Sequence, residues 1–237
     1  MAESSHAGEA HLDASAGRLN ALRAAVLGAN DGIVSVAGIV VGVAGATAQR
    51  GPIFTAGLAG LVGGAVSMAL GEYVSVSSQR DSEAAMLARE VRELAESPED
   101  ELAELAAIYE AKGVSPQTAR QVAVELTEHD ALGAHLDAEL NMDPEDLANP
   151  AQAAAASAAA FTTGAVLPML AILLPPAGWR VPVTFVAVLI ALGLAGALSA
   201  RIGHSDVRRA VLRVVIGGAL GLAFTYGVGH LFGTAVG

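Results

Sequence analysis

The sequence predicts an all-α polytopic membrane protein: five transmembrane helices, with a three-helix acidic cytosolic insert between the second and the third. Three observations lead there. Hydrophobic residues make up 53% of the 237 and charged residues 16%, well off the balance of a soluble domain. The apolar residues fall in five runs, each near the roughly 20 residues that a helix needs to cross a bilayer. And 18 of the 24 acidic residues lie between Arg80 and Asp146, with only five Lys or Arg among them. The net charge of −11 is therefore the property of one segment.

Taken in order, residues 1–17 (MAESSHAGEAHLDASAG) read as a polar, mostly disordered cytosolic tail. Their acidity is the reverse of a signal peptide's basic start. His6 and His11 could touch a metal, but a solvated tail is the simpler reading. Residues 18–79 hold the first two spans. The first runs from about Leu19 to Ala48 and carries one interior charge, Asp31.

The second span opens a longer rod. Pro52 precedes it, Pro98 follows, and no proline falls between, so Ile53–Ser97 reads as one helix. At 1.5 Å per residue it is roughly 65 Å long, about twice a bilayer core. Its first half is uncharged until Glu72, and about Ile53–Ser77 is the span; its second half, QRDSEAAMLAREVRELAES, is charged at nearly every turn. The helix is expected to leave the membrane and continue into water.

Residues 80–148 form the insert. Its first helix is the rod's extension to about Glu96. Ser97-Pro98-Glu99-Asp100-Glu101 starts the second, with proline in the first turn and acids at the positive end of the helix dipole. That helix stops near Ala111, at Lys112-Gly113. Ser115-Pro116 starts the third, which runs, with a break near Gly133, to about Asn141; Asp143-Pro144 leads back to the membrane. Residues 149–237 supply the last three spans, Asn149–Leu174, Val181–Ala200 and about Ala210–Val236, with Pro175-Pro176 and Gly178 in the short turn after the third.

Basic residues set an orientation. Arg18 and Arg23 precede the first span, and Arg201, Arg208, Arg209 and Arg213 flank the link between the last two; the opposite loops hold only Arg50 and Arg180. The positive-inside rule then puts the N-terminus and insert in the cytosol and the C-terminus outside. An acidic insert repels phosphate, which argues against nucleic acid and for cations. With no cysteine, disulfides and thiolate chemistry are excluded. Paired Glu-x-x-His motifs and a phosphate-binding glycine loop are both missing, which disfavours a di-iron oxidase and an ATP-driven pump. No enzyme activity is expected.

Asp31 is the sharpest single residue, because an ionisable group inside a span marks a pathway or relay by default. It lies about 12 Å past Arg23 along the helix. Met68 and Glu72 sit one turn apart on the second span, at matching depth. Gly60 and Gly64 continue their stripe, and Gly28, Gly32, Gly38 and Gly42 are expected to answer from the first span by close small-residue packing. Asp31, Met68 and Glu72 would then meet at one seam. A carboxylate with a thioether suits a borderline cation such as Fe²⁺ better than Mg²⁺ or Ca²⁺. In the insert, Glu90/Glu93 and Glu101/Glu104 are i,i+3 pairs and His135/Glu139 is an i,i+4 pair, each placing two ligands on one face. Glu125/His129 has the same spacing with less support around it. The competing reading is a solvated acidic face, with Arg89 pairing Glu93 and Arg92 pairing Glu96.

Three stretches, LGANDGIVSVAGIVVGV, GGAVSMALGEYVSVSSQRDSE and HLDAELNMDPEDLANP, resemble the vacuolar iron transporter family, and the resemblance covers the chain from about Arg18 onward. It implies a homodimer with five spans per subunit and a cytosolic metal-binding domain. It also implies export of Fe²⁺, and of Mn²⁺, in exchange for protons. By position, Asp31 and Met68 match the family's transport residues, and Glu90, Glu93, Glu101, Glu104 and Glu139 its metal-binding glutamates. Plant members have a methionine at His135 and a glutamate at Gly60; Glu72 is a candidate for that missing carboxylate. The expectation is thus a bacterial inner-membrane metal exporter with no tightly bound cofactor, for which Zn²⁺ and Co²⁺ are further candidate ions. The alternative is a non-transporting membrane protein whose insert senses metal or docks a partner.

Overall fold

The computed structural model describes residues 12–142 and 148–236, with side-chain surroundings from 24 to 233 outside the 143–147 gap. His6, His11 and the Asp143-Pro144 step lie outside the described residues. Among the described residues, seven α-helices follow in order: α1 (Leu12–Ala46), α2 (Arg50–Glu96), α3 (Pro98–Ala111), α4 (Pro116–His135), α5 (Pro150–Leu173), α6 (Arg180–Ile202) and α7 (Val207–Val236). Five of them (α1, α2, α5, α6, α7) are long and apolar enough to cross a membrane. α1 begins at Leu12, so part of the expected tail is helical. α2 begins at Arg50 and takes Pro52 into its first turn, where a proline's missing N–H has no helical partner to lose. Helix continues unbroken through Gly71.

The chain forms two compact units. One takes the chain up to Glu72 and again from Gln152; the other is Tyr73–Ala151.

In the first unit, Val36, Val40 and Val41 of α1 pack with Ile53 of α2, Phe161, Ala165 and Ile172 of α5, Val188 and Leu192 of α6, and Leu222 of α7. Three helices also carry an exposed apolar stripe at i+4 spacing: Leu58, Val62, Val66, Leu70 on α2; Val186, Ile190, Leu194, Leu198 on α6; Leu212, Ile216, Leu220, Phe224 on α7. Lipid is as apolar as a core, so those faces suit a bilayer. Backbones approach where glycine allows it. Gly28 and Gly32 of α1 lie against Ala160 and Phe161 of α5, and Gly164 of α5 lies on the Ala29 carbonyl. Gly42 and Gly45 lie against Thr225, Tyr226 and Gly229 of α7. The glycines of α1 therefore serve α5 and α7, not α2 as their spacing suggested. At the α1–α2 turn the buried Arg180 guanidinium donates to the Ala48 carbonyl at 2.7 Å and the Pro175 carbonyl at 3.4 Å. It ties two loops together.

In the second unit, α3 and α4 close on Leu105, Ala106 and Ala123, with Leu102, Tyr109, Leu126, Ala134 and Ala138 around them. The Ser97 side chain makes no capping hydrogen bond; its carbonyl instead accepts from the Asp100 and Glu101 amides at 3.0 and 3.1 Å. α4 leaves helical conformation at Asp130, whose carboxylate accepts from the Gly133 amide at 3.0 Å. It then widens into a π-turn over Leu136–Leu140, closed by Asn141 at φ 49. The expected break near Gly133 falls at Asp130.

Candidate functional site

The second unit builds a polar cluster in its interior. Glu90, 3% exposed, comes from the C-terminal half of α2; Glu101, 7% exposed, from the first turn of α3; His135, fully buried, from the end of α4. The break at Asp130 precedes His135, and the π-turn that follows carries Glu139. His135 Nδ1 lies 3.0 Å from Glu90 Oε1 and 3.6 Å from Glu101 Oε2. Yet neither Glu90 Oε1 nor either ring nitrogen of His135 has a hydrogen-bond partner of acceptable geometry. Buried polar atoms left in that state cost free energy that something must return. Glu139, exposed and one turn after His135, completes a set in which one ligand atom each from Glu90, His135 and Glu139 lies within 4.8 Å of the others.

Electrostatics point the same way. Burial, then the carboxylates of Glu139, Glu101, Glu93 and Glu104, push the Glu90 carboxyl up to about 7. Burial also raises Glu101, as does Glu104, while His135 opposes the shift. Two carboxylates are held where negative charge is costly, so a cation would relieve them. Three oxygens and an imidazole suit Fe²⁺, Mn²⁺ or Zn²⁺.

The other expected ligands of this unit stand apart. Glu93 is half-buried and paired with Arg89 at 3.0 Å, the solvated-face arrangement weighed above. Glu104 is exposed and outside the three-residue group. Arg92 Nε donates to the Ala88 carbonyl at 3.2 Å. The pairings visible in the sequence lie along one helix, whereas the cluster joins three. Burial of Glu90 and Glu101 was the signal missed: each occupies an inward position of an otherwise amphipathic helix.

The first unit holds a groove of about 440 Å³ between α1 and α2, floored by Phe161 of α5. Asp31, Ser35 and Ile39 line one wall; Ala59, Gly60, Gly63, Gly64, Ser67 and Met68 line the other. The Ser35 hydroxyl donates to the Asp31 carboxylate at 2.8 Å. Asp31 and Met68 thus share one groove. Glu72 is exposed and not among the lining residues. Ser35, Ser67 and Phe161 join the site unannounced by the sequence, because which face of an apolar helix turns inward is not written in its composition.

The chain matches the model of the VIT family over residues 22–230. It is 44% identical over 211 residues to a protein of Acanthamoeba castellanii named vacuolar iron transporter, covering 89% of this chain and 78% of that one. It is 40% identical over 216 residues to vacuolar iron transporter homolog 1 of Oryza sativa, covering 90% and 74%. To vacuolar iron transporter homolog 2.1 of Arabidopsis thaliana it is 37% identical over 216 residues, covering 90% and 82%. With five helices fit to cross a bilayer and a family match along nearly its whole length, the chain is an integral membrane protein and belongs to the VIT family.

Proposed function

We propose that the protein transports Fe²⁺, and Mn²⁺ with it, out of the cytosol across a bacterial inner membrane in exchange for protons. The reading rests above all on the groove that joins the Asp31 carboxylate to the Met68 thioether among helices fit to cross a bilayer. The names of the VIT relatives support iron as cargo. Glu90, Glu101, His135 and Glu139 capture the ion, with Glu93 and Glu104 adding negative potential around them. Asp31 and Met68 hold it within the membrane, and Glu72, one turn from Met68 along α2, serves as a relay carboxylate. A proton arriving at Asp31 from the far side neutralises the ligand and releases the ion, because protonation removes the charge that holds it. The arginines around α1 and between α6 and α7 support the insert facing the cytosol. A second copy is proposed to complete the open side of the groove, since only 11% of α2's apolar window is buried within one subunit.

The test is Fe²⁺ and Mn²⁺ flux into liposomes holding the purified protein, with and without a pH gradient. Asp31→Ala should bring flux to the protein-free background while metal binding persists. Undiminished flux would sink the mechanism. Binding without transport in the wild type as well would favour a metal sensor.

A further inference from the structure

The groove changes character along its length. On α1, Asp31, Ser35 and Ile39 follow each other at i+4 on one wall; on α2, running the opposite way, Met68 and Ser67 face the Asp31 end, and Gly60 and Ala59 the Ile39 end. On α1 the polar lining therefore ends at Ser35, about 6 Å from Asp31, and Ile39 lies roughly 12 Å from Asp31 along the helix. There the Ile39 side chain sits in the place a residue-60 side chain would take: a Cβ on Gly60 would come 2.5 Å from Ile39 Cδ1. The next turn toward the α1–α2 loop repeats the arrangement, with Val40 and Met169 filling the space over Gly57. Ile53, 1% exposed, closes the packing behind them. Ile39, 38% exposed, is thus the last α1 residue lining the groove, and beyond it toward the α1–α2 loop the packing is apolar.

We propose that Ile39, seated on Gly60, is the apolar gate of this groove. Apolar constrictions bar ions by shedding water, so a bare cation cannot pass while Ile39 stays seated. Gly60 makes the seat reversible: it offers no side chain to lock Ile39 in, and a small shift of α1 against α2 vacates it. The proposal deepens the transport reading and rests on it, because it assigns the step between the Asp31 site and release.

The experiment uses the full chain in liposomes and follows downhill Mn²⁺ flux at equal pH on both sides. Wild type, Ile39→Asn and Asp31→Ala are compared, each with its thermal midpoint in detergent and its Mn²⁺ binding as controls of folding. Ile39→Asn should raise flux at equal pH several-fold over wild type, because a polar side chain keeps the constriction wet. If the asparagine variant does not fold, Ile39→Thr, which keeps the branched shape and adds a hydroxyl, carries the same expectation. A folded Ile39→Asn or Ile39→Thr with wild-type or lower flux overturns the gate and leaves transport standing. A wild type that moves no Mn²⁺ under any pH gradient, and matches Asp31→Ala, overturns both.

Discussion

Glu90 carries the clearest residue-level consequence. Its carboxyl, pushed up to about 7 by burial and its acidic neighbours, holds a proton near neutrality that a metal must displace. Metal binding should therefore strengthen as pH rises through about 7, by up to roughly tenfold per unit below it for one released proton. For the metal-free fold the sign is opposite. A carboxyl raised above its usual range adds stability that is complete below that range and fades as pH climbs to about 7. The rise in thermal midpoint given by Mn²⁺ should thus be larger at pH 7.5 than at pH 6, and Glu90→Gln should flatten that difference. A pH-independent increment would place the proton elsewhere. His135 is buried beside Glu90 and Glu101, and His135→Ala is expected to weaken Mn²⁺ binding at least about tenfold, as read by calorimetry on the full chain.

Among the elements, the α1–α5 contact leaves no room for change. Gly164 lies so close to the Ala29 carbonyl that any side chain would overlap backbone, which cannot move aside as a flexible side chain can. Gly164→Val should cost about 1–3 kcal/mol or more, seen as a lower thermal midpoint in detergent or loss of the monodisperse protein. Gly217→Ala on α7, where a methyl meets nothing within 4 Å, should be neutral or slightly stabilising in the same assay. Element limits were largely open to sequence reasoning, because apolar length and proline position are local. Helix partners were not: the α1 glycines at 28, 32 and 42 were expected to meet α2 and instead receive α5 and α7. In a membrane protein the packed and lipid-facing sides are both apolar, so the usual hydrophobic stripe does not reveal which way a helix turns.

Across the whole molecule, charge is the organising quantity. The residues from Arg80 to Asp146 hold 18 acids against five bases, a field that concentrates cations near the insert. Its reach is the Debye length, about 30 Å at 0.01 M salt and under 10 Å above 0.1 M. The Mn²⁺ association rate should therefore fall steeply over that range while dissociation changes little, in stopped-flow measurements on the full chain. Equal rates at both salts would confine the acidic residues to a local ligand role. The sequence by itself determined the class of molecule, five helices long and apolar enough to span, and the segregation of acid into one segment, since composition and transfer free energy act residue by residue. Only the tertiary structure decided that Glu90 and Glu101 turn inward to His135 while Glu93 pairs with Arg89 at the surface, and that Asp31 shares a groove with Met68 but not with Glu72. Those choices depend on how each helix is rotated about its axis against its neighbours, and a local pattern does not carry that angle.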